Sequence, residues 1–222
     1  MNTMNRTAIH KLEDEIACAI QFDGRVMISG ERGTGKKFLA HLIHQRSHRR
    51  TAPFVIASHR CFAESVPQAQ HGTLLIDGIE ELTDPMQMQL LQFLESGTTN
   101  GSPRLMTATG PNMFERVRSD TFGTDLFYRL NIIRLLIPAL REHPEDIPIL
   151  LGHYLSSHAK TNTPRLSPGA LQRLMEYAWP GNVQELKDVA ETLAAKDLPR
   201  FIEPEDLPPH ISLQAVTLQA ER

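Results

Sequence analysis

A glycine-rich segment between an apolar run and a helical stretch constrains the fold of this chain more than any other feature. Its residues are Gly30, Glu31, Arg32, Gly33, Thr34, Gly35 and Lys36, followed by Lys37. Glycines between a strand and a helix let backbone N–H groups approach an anion, and the helix N-terminus and a lysine add positive potential. The segment therefore predicts a phosphate-binding loop, with a glycine-rich turn that binds nothing as the simpler alternative.

A second apolar run ends in a carboxylate, and such a residue complements a phosphate-binding loop. Thr73–Asp77 favours a buried strand, and Asp77 at its end would hold Mg²⁺ beside the phosphates. An aspartate that ends a strand is often only a turn former, but the glycine-rich loop upstream favours the metal role. The Ser or Thr that usually follows the loop lysine as a further Mg²⁺ ligand is Lys37 here.

Short runs rich in β-branched residues alternate with helical segments over the first part of the chain. The predicted strands are Arg25–Ser29, Phe54–Ser58, Thr73–Asp77, Arg104–Ala108 and Ile132–Ile137. A helix is predicted over Lys36–Ser47, and another begins at Asp84-Pro85, because Asp is a good N-cap and Pro suits the first turn. This alternation predicts an α/β core with a mostly parallel sheet, covered by helices on both faces, over residues 1–140.

The rest of the chain changes to a helical pattern. We predict helices over Glu145–Ala159, Pro168–Tyr177 and Val183–Ala195, with no strand between them and with Ser167 and Asn182 as N-caps. Residues 141–200 are therefore expected to form a small helical lid. Residues 201–222 contain several prolines and are expected to form a loose tail.

Composition narrows the class of protein. Hydrophobic residues make up 41% and charged residues 22%, and the net charge is −3, which argues against binding nucleic acid or membranes through charge alone. We see no membrane-spanning run and no secretory signal, so we expect a cytoplasmic protein. The tail is too short and too rich in proline for a helix-turn-helix, so we also expect no DNA-binding domain.

Five motifs, in this order, resemble the AAA+ domain of bacterial enhancer-binding proteins, the activators of sigma-54 RNA polymerase. They are Gly30–Lys36, Gly72–Leu82, Asp125–Asn131, Leu140–Pro148 and Trp179–Val183. The resemblance extends from about Lys11 to Leu207. It implies a P-loop NTPase with a five-stranded sheet and a helical lid. It also implies ATP or ADP with Mg²⁺ as ligands, and a ring of subunits that couples hydrolysis to remodelling of a sigma factor.

The resemblance also assigns roles to single residues. It implies Asp77 as the Mg²⁺ ligand and Arg129 as the second of two arginines that act on a neighbouring subunit, whereas the first falls on Gly123. A sensor arginine of the family is Gln184 here, which would lie at the nucleotide with the loop residues.

Other catalytic positions depart from the family. The carboxylate that should follow Asp77 is Gly78, and Glu80 and Glu81 are expected to lie elsewhere because of their shift along the chain. The sensor pair Thr-Asn appears as Thr109-Gly110, and the switch asparagine is Ser58. The long insertion that carries the sigma-54 contact loop is reduced to the short segment 55–71.

These observations predict the ATP- or ADP-binding AAA+ module of a sigma-54-activator-like bacterial regulator, related to two-component response regulators. Hydrolysis would be weak or absent, direct contact with sigma-54 is not expected, and association would be with copies of itself or related AAA+ subunits. The alternative is a working ATPase that remodels sigma-54 RNA polymerase or another protein. A third interpretation is a protein that binds no nucleotide because Lys37 occupies the phosphate region.

Overall fold

The computed structural model describes residues 3–96, 101–158, 165–196 and 201–212. The described chain divides into two compact units. The first contains the described residues up to Glu31 and those of Gly35–Ile137, and the second contains Arg32–Thr34 and the described residues from Pro138 onward. Within these ranges, no helix combines the length and the apolar character that crossing a membrane requires.

The first unit is a five-stranded parallel sheet in the order β2-β3-β4-β1-β5. The strands are β1 Val26–Ser29, β2 Phe54–Ser58, β3 Thr73–Asp77, β4 Arg104–Thr109 and β5 Ile133–Leu136. The helices are α1 Thr3–Gln21, α2 Lys36–Arg46, α3 Phe62–Ser65, α4 Asp84–Glu95, α5 Met113–Arg118 and α6 Thr124–Leu130. The α/β class and the five predicted strands are confirmed, with strand ends shifted by one residue at most. The short helices α3, α5 and α6 were not predicted.

The strands carry near-continuous apolar runs because helices cover both faces of the sheet. In β1, Val26 and Ile28 pack into a core with residues of α1 and α2. Met27 points to the opposite face and packs into a core with residues of α4 and α6. Both faces of β1 are therefore buried, and its carboxyl end is held at a fixed place in the sheet.

Strand order brings three chain segments to one edge of the sheet. Gly30 follows β1, and its N–H donates to the carbonyl of Thr109 at the end of β4 over 3.2 Å. Gly78 follows β3, and its N–H donates to the carbonyl of Ala108 over 3.0 Å. The glycine-rich loop and Asp77 therefore lie at the carboxyl edge of the sheet, where parallel α/β folds carry their ligand sites.

The second unit is built mainly from helices around a buried tryptophan. Its elements are α7 Ile147–His158, β6 Arg165–Leu166, α8 Pro168–Glu176, α9 Asn182–Ala195 and β7 Phe201–Ile202. Trp179 is fully buried, and its indole N–H donates to the carbonyl of Leu174 over 2.8 Å. Three helices were predicted here. The first begins two residues later than expected, and its predicted last residue, Ala159, lies outside the described residues.

Two expectations about this unit were wrong. A strand does lie between the helices, because β6 pairs in parallel with β7. The predicted loose tail is folded over residues 201–212, since Ile202, Leu207 and Ile211 are buried in the same core as Trp179. Ile202 and Leu207 lie five positions apart and three prolines interrupt the segment, so the pattern gave no clear signal. The remaining tail lies outside the described residues.

The predicted helix starts have mixed outcomes. Ser167 is the N-cap of α8, and its hydroxyl accepts from the N–H of Ala170, which confirms the prediction. Asp84 is the first residue of α4, whereas Thr83 is the N-cap. The prediction of Asn182 as an N-cap was also wrong: Gly181 holds that position in α9.

Candidate phosphate-binding site

The loop after β1 has the backbone of an anion cradle. Gly33 and Gly35 adopt φ values of +81° and +94°, a left-handed conformation that glycine adopts without steric cost. Gly35 precedes α2 directly, and the first N–H groups of a helix have no partner within the helix. The left-handed conformation of the loop therefore directs the positive end of α2 towards the space above the carboxyl edge of the sheet.

Lys36 is folded back over this loop. Its Nζ donates to the carbonyl oxygens of Gly30 and Glu31 over 2.7 and 2.8 Å. Burial lowers the pKa of Lys36, and the negative charges of Asp77 and Glu80 act against this effect. A phosphate at the loop would supply a full negative charge to an ammonium that now has two neutral acceptors.

Lys37 and Asp77 form an ion pair at the same edge, with 2.8 Å between Nζ and Oδ2. An ammonium has no lone pair to bind a metal, and a divalent cation on Asp77 would be repelled by it. Among the described residues, no group of three or more His, Cys, Asp or Glu side chains is arranged to hold a metal. With the Lys37 ammonium on Asp77, the side chains as arranged do not fit Mg²⁺.

Glu80 was expected to lie away from the site, and this was wrong. Gly78 takes a φ of +74° and begins a tight turn that directs Glu80 back towards the sheet. One carboxylate oxygen, Oε1, accepts from the N–H of Gly110 over 2.8 Å. The other, Oε2, is buried without a hydrogen-bond partner among the described residues. Its charge also acts on Lys36, whereas Glu81 is exposed.

Gly110 explains how this carboxylate is accommodated. A Cβ on Gly110 would lie 3.2 Å from Glu80 Oε1, which is tight for any larger residue. The glycine at position 110 therefore leaves room for the Glu80 carboxylate at this place. Spacing along the chain did not reveal this contact, because it depends on the turn that begins at Gly78.

Arg129 is held by carboxylates of its own unit. Its Nε donates to both oxygens of Asp125, at 3.1 and 3.0 Å, and its Nη2 lies 3.3 Å from Glu95. The Arg129 side chain is 39% exposed, so it remains at the surface of α6. At the other predicted arginine position, the N–H of Gly123 donates to the side chain of Gln87.

The tip of the loop belongs to the second unit and packs against the start of α9. The Arg32 carbonyl accepts from Asn182 Nδ2 over 2.9 Å, and the Gly33 carbonyl accepts from the N–H of Gln184 over 3.1 Å. A Cβ on Gly33 would lie 2.0 Å from the carbonyl oxygen of Gly181. Glycine is therefore required at position 33 by this contact as well as by its φ.

The two polar residues at the start of α9 have different roles. Asn182 is fully buried, and its Oδ1 also accepts from the N–H of Leu140 over 2.9 Å, so it joins two backbone segments rather than capping the helix. The predicted nucleotide-binding residue, Gln184, contacts the loop through its backbone. Its side-chain amide donates to Asp188 over 2.8 Å, along its own helix.

Comparison with family models covers both units. Residues 4–140 match the model described as the sigma-54 interaction domain. Residues 141–222 match the model described as the AAA+ ATPase lid domain.

Relatives of known sequence and structure agree with these matches. The regulatory protein AtoC of Escherichia coli is 34% identical over 222 residues, which cover 84% of this chain and 48% of AtoC. NtrX of Brucella abortus in complex with ATP has a TM-score of 0.83 and 26% identity, over 93% of this chain and 54% of NtrX. The same protein with ADP gives a TM-score of 0.82 at 26% identity, over 92% and 54%. This chain thus spans about half the length of these relatives.

Proposed function

The chain belongs to the sigma-54 interaction domain family of AAA+ proteins, and on that premise we propose that it binds ATP or ADP at Gly30–Lys37 and hydrolyses ATP weakly or not at all. The observation that carries the proposal is the left-handed loop ahead of α2, with the Lys36 ammonium folded over it. ATP and ADP as ligands of the structurally similar NtrX support the same ligand class here. We further propose a cytoplasmic location.

Lys36 and the residues that hold the loop tip would have different roles in binding. The phosphates would replace the carbonyls of Gly30 and Glu31 as partners of Lys36, and their remaining charge would face the N-terminus of α2. Asn182 and the Gln184 N–H hold the carbonyls at the loop tip, which keeps the loop in shape before a ligand arrives. Binding therefore requires little rearrangement of the backbone.

Weak hydrolysis is proposed because several catalytic groups are replaced. Gly78 carries no carboxylate to orient water, and Gly123 carries no guanidinium to stabilise charge on the γ-phosphate. Arginine fingers alone contribute roughly 10³–10⁵ in rate in nucleotide hydrolases. Gln184 has no charge, and its amide is already bonded to Asp188.

The absence of a direct sigma-54 contact is proposed from the connection between β2 and β3. Phe62, the one Phe, Tyr or Trp residue of segment 55–71, is 2% exposed and packs in the core. The connection then turns back through Pro67–Ala69, and Ala69 is fully buried. This segment has little to project towards a partner, so we propose other AAA+ subunits, or copies of this chain, as partners. Capture of sigma-54 by this chain alone would contradict the proposal.

Calorimetric titration with ATP and with ADP tests nucleotide binding. We expect both to bind, and Lys36→Ala to weaken binding by about 10–100-fold through loss of a charge-assisted hydrogen bond. Lys187→Ala is the matched control, because Lys187 is a partly exposed lysine of α9 that pairs with Glu191. It should leave the affinity unchanged. No measurable binding of either nucleotide by the unmodified chain would overturn the proposal.

Glu80 favours a second candidate function, an active ATPase that remodels sigma-54 RNA polymerase or another protein. Its buried Oε2 has no hydrogen-bond partner in the part of the chain that the structure describes, and a carboxylate oxygen can accept from a water molecule. Phosphate release distinguishes the two functions. An active ATPase would release phosphate rapidly and lose that activity in Glu80→Gln but not in Glu81→Gln. The favoured function predicts slow release in all three proteins.

A further inference from the structure

Lys37 stands where a phosphate loop ordinarily carries a hydroxyl for Mg²⁺, and its ammonium lies on the aspartate that would share the metal. The distance from Lys37 Nζ to Asp77 Oδ2 is 2.8 Å. The two side chains are 57% and 33% exposed, so the pair contributes little to the stability of the fold. Both charges remain accessible to a ligand at the loop.

We propose that the Lys37 ammonium takes the charge-neutralising place of the divalent cation, so that the chain binds metal-free nucleoside di- or triphosphates. This inference rests on the proposed function, because it concerns the form in which the nucleotide binds at the same loop. An ammonium carries three N–H donors. One donor reaches Asp77, and the others are available to phosphate oxygens.

Asp77 acquires a different role in this arrangement. In a metal-dependent site, the aspartate and the hydroxyl after the loop lysine face the same Mg²⁺. Here Asp77 positions an ammonium, whose flexible stem would otherwise leave the charge unordered. Lys36 and Lys37 are consecutive and both start α2, so two cations and the helix N-terminus face one polyphosphate.

Lys37 in place of a hydroxyl residue also agrees with weak hydrolysis. A bound metal polarises phosphoryl oxygens as a Lewis acid, whereas an ammonium offsets charge through hydrogen bonds. Lys37 therefore favours retention of the nucleotide over turnover. In the opposite arrangement, Mg²⁺ would displace Lys37 from Asp77, and nucleotide binding would then require Mg²⁺. Titration with and without Mg²⁺ distinguishes the two arrangements.

The test is titration of the full chain with ATP in EDTA and in excess Mg²⁺. We expect the unmodified chain to bind ATP in EDTA at least as tightly as in Mg²⁺. Lys37→Ser restores a hydroxyl and should weaken binding in EDTA by about 10–100-fold, with recovery in Mg²⁺. Lys37→Arg keeps the charge and should bind in EDTA, and Lys187→Ser controls for loss of a surface lysine. Thermal unfolding of each variant confirms that it is folded.

Each outcome has a distinct meaning. Binding by the unmodified chain that needs Mg²⁺, or Lys37→Ser with unchanged affinity in EDTA, would overturn this inference and leave the proposed function intact. No binding in either buffer would overturn the proposed function and the inference with it.

Discussion

Gly33 lies at the tip of the loop and has two independent reasons to be glycine. Its φ is +81°, and a Cβ there would lie 2.0 Å from the backbone oxygen of Gly181. Gly35 shares the first reason, with a φ of +94°, but a Cβ there meets no atom of the described residues within 4 Å. Gly33→Ala and Gly35→Ala therefore form a matched pair that separates backbone strain from the clash.

The expected losses of unfolding free energy follow from the backbone strain and from the clash with Gly181. An alanine in the left-handed region costs about 1–2 kcal/mol, and both variants incur this cost. Forcing a methyl group against a backbone atom adds about 1–3 kcal/mol at Gly33 alone, because a carbonyl oxygen cannot move away as a flexible side chain would. We expect losses in the free energy of unfolding of about 2–5 kcal/mol for Gly33→Ala and about 1–2 kcal/mol for Gly35→Ala.

Urea unfolding without nucleotide measures the difference, with two probes. Fluorescence of Trp179, the chain's single tryptophan, reports on the core of the second unit, which also contains Gly33. Circular dichroism reports on both units. At a urea dependence of about 2 kcal/mol per molar, the excess loss in Gly33→Ala would lower the midpoint by about 0.5–1.5 M. Equal losses in the two variants would refute the role of the Gly181 contact.

Two further predictions concern buried polar residues. Burial lowers the pKa of His44 below its ordinary value of 6.5, so the unfolded state takes up more protons and stability falls as pH falls below that value. Between about pH 7 and about pH 5, the loss of unfolding free energy should be smaller in His44→Gln than in the unmodified chain. In His41→Gln, which changes an exposed histidine, that loss should be the same as in the unmodified chain. Asn182→Ala leaves a buried backbone N–H without its acceptor and should cost about 1–3 kcal/mol in urea unfolding. The exposed Gln184→Ala should change stability by at most about 0.5 kcal/mol, and equal effects of the two would contradict the buried role of Asn182.

Much of the fold was predictable because local pattern and tertiary structure agree in the first unit. Phe54–Ser58 and Thr73–Asp77 were predicted with the bounds that the structure has, since both are short apolar runs with clear ends. The pairing of β6 with β7 was not predictable, because two-residue strands have no period. The burial of Ile211 depends in the same way on packing that only the fold creates.

In the candidate site, the geometry of the loop was predictable from its motif, whereas the position of a residue placed by a turn was not. The loop and Lys36 follow one another in the sequence, so spacing alone located them. Glu80 reaches Gly110 only because Gly78 begins a tight turn, and linear spacing argues against such a return. Asn182 resembles an N-cap in sequence, but burial gives it two backbone partners instead.

The separation of nucleotide binding from hydrolysis is tested most directly by a single-turnover experiment. The chain is mixed in excess with radiolabelled ATP, one part of each sample is filtered to measure retained nucleotide, and another is quenched in acid to measure ADP. We predict that ATP is retained on the chain and stays largely intact for many minutes. Prompt conversion of the retained ATP to ADP, or no retention at all, would contradict this account.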